Sequence, residues 1–97
     1  MTILLVCADE LRMIQLQAAI RSAGFRLISA KAVAEAWAKI DFFDFGAVVI
    51  DYELKDDIAA AAFRQRFVTL NLNEDAGPES LVMELTTLFN KGSELGQ

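Results

Sequence analysis

A chain of 97 residues suffices for one domain near the lower end of the usual size range. Hydrophobic residues make up 55% of it, which is ample for a core, so a folded protein is expected and not a disordered one. Fourteen acids against nine bases leave a net charge of −5, and the bases are scattered, which argues against a footprint for a nucleic-acid backbone.

Residues 2–6 form a continuous apolar run of strand length, as expected for a parallel strand covered on both faces. This run and the others are far too short to span a bilayer, and the amino terminus lacks the features of a signal peptide, so a cytoplasmic protein without membrane contact is expected. Asp9 can cap a helix over about residues 10–23, with Glu10 in its first turn. Its apolar stripe is read as Leu11, Ile14 and Ala18, with Met13, Leu16 and Ile20 alongside, and Gly24 supplies the stop. Residues 25–29 read as a second strand, shorter and more polar, hence near a sheet edge.

A second helix is predicted over about 32–40, followed by a turn rich in phenylalanine (Phe42, Phe43, Phe45) and a third strand over 47–51. The loop after it is polar. Asp56 or Asp57 can cap an alanine-rich helix through about residue 65, with Ile58, Ala62 and Phe63 as its apolar contacts. Residues 67–72 alternate, with Val68, Leu70 and Leu72 on one face, and this fourth strand is placed at the other sheet edge. Gly77-Pro78 opens a last helix over about 78–90, whose stripe is Leu81, Val82, Leu85, Leu88 and Phe89, with Lys91 and Gly92 as stop signals.

Strands alternating with helices give an α/β fold, a flavodoxin-like doubly wound parallel sheet with helices on both faces. In such a sheet the carboxyl ends of the first and third strands meet in one crevice, the usual ligand site. Ala47-Val48-Val49-Ile50 runs into Asp51, whereas Ile3-Leu4-Leu5-Val6 runs into Cys7-Ala8. The crevice is therefore expected to hold Asp51 beside Cys7 and Ala8, with one acid at its centre. There is no histidine and only one cysteine, so zinc sites and histidine-based acid/base catalysis are excluded, as is an internal disulfide. A thiol at a crevice mouth near a helix start can serve as a redox sensor, although a lone cysteine beside an apolar strand is more often a small buried hydrophobe. Glu53, Asp56 and Asp57 lack the spacing of a calcium loop and read as solvated charges.

At this point the chain resembles the receiver domain of two-component response regulators. The resemblance rests on Ile3-Leu4-Leu5-Val6, Ala23-Gly24-Phe25, Ala34-Glu35-Ala36 and Phe45-Gly46-Ala47-Val48-Val49-Ile50-Asp51, with a weaker echo to the end. It implies that Asp51 stands at the phosphoacceptor position. It also implies a magnesium ion held by two acids after the first strand, and counting back from Gly24 puts Cys7 and Ala8 at those places. A second register would bring Asp9 and Glu10 into the acidic pair.

The family's phosphate-contacting hydroxyl residue has Asn71 or Asn73 at its position, and the lysine that ends a fifth strand has no counterpart. The sheet is thus expected to be reduced to four strands in the order 2-1-3-4. Phosphoryl transfer to a carboxylate depends on metal and cation to neutralise gathering negative charge, so Asp51 is expected to be vestigial. The implied function is a phosphorylation-independent, non-enzymatic receiver-like module of signal transduction without a cofactor, binding a protein partner or a second copy of itself. The alternative is a minimal phosphoacceptor modified at Asp51 with magnesium on Asp9, Glu10 and Asp51. The strand with Val68, Leu70 and Leu72, together with Leu85, Leu88 and Phe89 of the last helix, is the expected interaction edge, and a homodimer is expected there. The phenylalanine turn is a second place where an exposed apolar patch could mark a protein contact.

Overall fold

The computed structural model describes residues 2–54 and 57–95. Four strands, β1 (Thr2–Val6), β2 (Arg26–Ala30), β3 (Phe45–Ile50) and β4 (Thr69–Asn71), form one parallel sheet in the order β2-β1-β3-β4. The helices are α1 (Glu10–Ser22), α2 (Val33–Lys39), α3 (Ile58–Ala61) and α4 (Pro78–Leu95). The doubly wound, four-stranded arrangement expected from the sequence is the one the chain adopts.

The central strands show why their apolar runs are unbroken. Ile3, Leu5, Ala47 and Val49 point into a core shared with α1 and α4, while Leu4, Val6, Val48 and Ile50 point into a second core shared with α2 and the α3 region. Every side chain of β1 from Ile3 onward is fully buried, as a strand covered on both faces requires. Gly46 is the extra residue where the pairing slips between Thr2↔Phe45 and Ile3↔Ala47.

Asp9 caps α1 by accepting the Arg12 backbone N–H at 2.9 Å. At the other end Gly24 takes φ +93°, and the amides of Gly24 and Phe25 bond back to Arg21 and Ile20, a Schellman ending in which Phe25 packs on the core. The face of α1 differs from the expected one. Met13, Leu16 and Ile20 are the buried row, whereas Leu11 and Ile14 are exposed. Both rows are apolar at helical spacing, so periodicity alone does not choose between them.

Asp57 caps α3, whose amides of Ala59 and Ala60 it accepts, and Asp56 lies outside the described residues. The predicted helix over 57–65 splits into α3 and a 3-10 turn, Ala62–Gln65, which tightens to bury Phe63. Ile58, expected as a core contact, is 89% exposed, and Ala60 takes its place. At the carboxyl end α4 continues past Lys91 and Gly92 to Leu95. A single glycine costs a helix only about 1 kcal/mol relative to alanine and does not have to end it.

β4 is shorter than the predicted strand, yet its ladder to β3 extends through Val68 and Leu72, whose backbone groups bond Val48 and Ile50. Leu72 and Leu85, expected on an open edge, are buried in the chain's own core because α4 lays its apolar stripe on α1 and the sheet. Val68, Leu70, Leu88 and Phe89 keep part of their surface. Among the described residues no helix is long and apolar enough to cross a membrane.

Candidate functional site

The crevice is built by the ends of β1 and β3. Val6 lies opposite Ile50, and the Asp51 amide bonds the Val6 carbonyl at 3.0 Å, so Cys7 and Asp51 leave adjacent strands side by side. The Cys7 amide bonds Ala30 at the end of β2 and fixes the thiol on the Asp51 side. Asp51 is 1% exposed, the one acid inside the fold among the described residues.

A carboxylate at that depth needs partners. The Cys7 Sγ donates to Asp51 Oδ2 at 3.2 Å. The larger contribution comes from α1, where the Arg12 Nε–H stands 2.7 Å from both Oδ1 and Oδ2 of Asp51. The rest of the guanidinium donates to the carbonyls of Asn73 at 3.0 Å and Glu74 at 3.5 Å, and it lies over the Tyr52 ring at 5.4 Å. Arg12 thereby ties together the end of β3, the loop after it and the loop between β4 and α4.

Among the expected crevice residues, Cys7 and Asp51 touch each other, Asn73 is linked to Asp51 only through Arg12, whose guanidinium donates to its backbone carbonyl, and Asn71 is exposed on the edge strand opposite Ile50. Ala8 is exposed and offers only a methyl group. Asp9 spends Oδ1 on the cap of α1, and Glu10 turns outward to Lys31 at 3.0 Å.

Arg12 is the residue that the pattern of charges did not single out. Its position carries a signal nonetheless. A base in the first turn of a helix opposes the macrodipole, and that unfavourable placement is a reason to look for an acid it serves.

Burial and the adjoining Asp51 carboxylate push the Cys7 thiol up to about 12, against the lowered value a reactive sensor needs. The expected result is slow alkylation of Cys7 in the folded protein, rising to the rate of a free thiol only on unfolding. Fast modification under native conditions would contradict it. Because an unfolded thiol ionises near its ordinary 9.0 while the folded one keeps its proton to about 12, ionisation of Cys7 favours the unfolded chain, and stability falls as pH rises through that window. At the rim the Tyr52 phenol is also pushed up, first by desolvation and then by Glu53 and Glu74.

A magnesium ion, implied for this crevice by the resemblance, takes an octahedral oxygen set anchored by carboxylates. The side chains bonded to Asp51 are a protonated thiol and a guanidinium that already engages both carboxylate oxygens. This donor set does not fit the ion. What the arrangement does supply is a fixed internal cation on a buried carboxylate.

No family model matches the chain, and no curated protein matches it. Among solved structures, a response regulator receiver domain protein (CheY-like) from Methanospirillum hungatei JF-1 is similar with a TM-score of 0.76 and 15% identity, covering 96% of this chain and 96% of that one. The chemotaxis protein CheY4 of Vibrio cholerae is similar with a TM-score of 0.62 and 15% identity, covering 89% of this chain and 96% of that one. The chain thus has the CheY-like receiver fold.

Proposed function

We propose that this chain is a single receiver-like regulatory module of signal transduction in the cytoplasm, which acts without phosphorylation and without enzymatic activity, through contact with another protein or a second copy of itself. Similarity of fold to receiver domains supports the class, and the Arg12 N–H at 2.7 Å from both oxygens of Asp51 supports a role without phosphorylation. To attack phosphorus, a carboxylate oxygen must present a lone pair in line with the leaving group, with cations arranged around the transferring phosphoryl. Here both oxygens accept from Arg12 and one also accepts from Cys7, so neither is free to meet phosphorus unless Arg12 moves away.

The test is incubation with magnesium and an acyl phosphate donor, read by intact mass. No phosphoryl adduct is expected. An adduct that Asp51→Asn abolishes would establish Asp51 as a working phosphoacceptor and overturn this reading.

A further inference from the structure

Among the described residues the sheet ends at β4 with one side unpaired, and the ladder fixes which groups lie open there. Val48 N–H donates to the Val68 carbonyl at 2.9 Å and Leu72 N–H to the Ile50 carbonyl at 2.8 Å, so Val68, Leu70 and Leu72 turn their backbone groups toward β3. By the alternation of a strand, Thr69 and Asn71 turn theirs outward. Beside this edge runs a groove of about 500 Å³ lined by Leu70, Ser80, Met83, Glu84, Thr87 and Leu88. Met83 is 70% exposed there. A strand added about 4.8 Å beyond β4 would lie along the groove and cover it.

Charge selects the occupant. The turn entering β4 carries exposed Arg64 and Arg66, with Arg66 resting over the Phe67 ring at 5.4 Å, and the turn leaving β4 carries exposed Glu74 and Asp75. The edge is basic at one end and acidic at the other. A second copy of the same edge laid antiparallel meets it with opposite signs at both ends, while a parallel one would set like charges together.

We propose that two copies of this chain pair β4 to β4, antiparallel, about a two-fold axis at Leu70. This rests on the reading of the chain as a contact-making module and specifies the contact. In this register Leu70 faces Leu70 of the second copy, Thr69 and Asn71 exchange backbone hydrogen bonds across the axis, and Arg66 of each copy comes opposite Glu74 of the other. An axis perpendicular to the sheet puts both α4 helices on one side, where Met83, Thr87 and Leu88 of each close the groove of the other. The interface is self-complementary, as two-fold symmetry requires, and it removes the open edge on both copies.

Sedimentation equilibrium of the full chain is expected to show a dimer at high micromolar concentration. Thr69→Pro removes an outward N–H that β3 does not use, and Met83→Lys charges an exposed position, so each is expected to give a folded monomer with an unchanged circular dichroism spectrum. Leu70→Cys is expected to form an intermolecular disulfide under mild oxidation, because opposed residues that are not hydrogen-bonded to each other have Cα atoms about 4.5 Å apart. Arg66→Glu or Glu74→Arg alone is expected to raise the dissociation constant about tenfold, since the axis repeats each altered pair, and the two together are expected to restore it. A chain that stays monomeric at these concentrations overturns the dimer, as does a dimer indifferent to Thr69→Pro and the charge swaps. The intact-mass experiment on Asp51 is independent of both outcomes, so the two readings fail separately.

Discussion

Arg12→Ala is expected to destabilise the fold by about 3 kcal/mol, because it leaves the Asp51 carboxylate, 1% exposed, without its cation. Breaking a buried ion pair from one side costs more than the pair contributes, since the surviving charge has neither water nor partner. Asp51→Asn alone should cost less, about 1–2 kcal/mol, because Arg12 keeps the carbonyls of Asn73 and Glu74 and is itself 18% exposed. The double substitution removes charge from both sides and is expected to be more stable than Arg12→Ala alone. Urea unfolding of the four proteins gives the coupling directly. If Arg12→Ala lies within about 0.5 kcal/mol of the parent, the pair does not hold the crevice, and the assignment of Arg12 as the internal counter-cation is wrong.

The same pair shows where sequence reading reaches and where it stops. The strand order and the two cores follow from the continuous runs 3–6 and 47–50, because only a strand covered on both faces has no polar alternation. Asp51 is legible as the acid at the end of such a run. Its partner is not, because Arg12 is separated from it by the whole of β2 and α2, and one base among scattered bases has the sequence signature of a solvated charge. The two apolar rows of α1 are a similar case. Burial falls on Met13, Leu16 and Ile20, and that orientation places Arg12 over the crevice. Had Leu11 and Ile14 faced the sheet, Arg12 would have turned away from Asp51, so helix rotation and site chemistry are one choice that the local pattern leaves open. Likewise the stripe of α4 is plain in the sequence, but whether Leu85 covers its own sheet or a neighbour's depends on the path of the loop after Asn73, which Arg12 anchors.

On the opposite face of the sheet, Phe63→Ala is expected to cost about 3–5 kcal/mol and to lower the melting temperature by roughly 15 °C or more. Phe63 is fully buried and stacks on Trp37 with centroids 4.2 Å apart and planes 6° apart, and it meets Phe67 at 6.5 Å. It fills the space between Ala36, Val48 and Ile50 that a 3-10 turn and a four-residue helix cannot close by themselves. Trp37 reports on the change, since its indole N–H donates to the Ala59 carbonyl at 2.9 Å and its ring loses the stacked partner, so the near-ultraviolet dichroism should fall along with stability. Ile58→Ala, in the same segment but 89% exposed, should stay within about 0.5 kcal/mol. The consequence extends to the sheet edge. Phe63 accepts the Phe67 amide at 2.8 Å and the Arg66 amide at 3.1 Å, so the turn that leads into β4 and carries Arg66 hangs on the backbone that this ring anchors. Self-association should therefore weaken in Phe63→Ala even at temperatures where the chain remains folded. A loss of stability below about 1.5 kcal/mol would mean that the cavity collapses, and that this segment is held by the Asp57 cap and Trp37 instead of the ring.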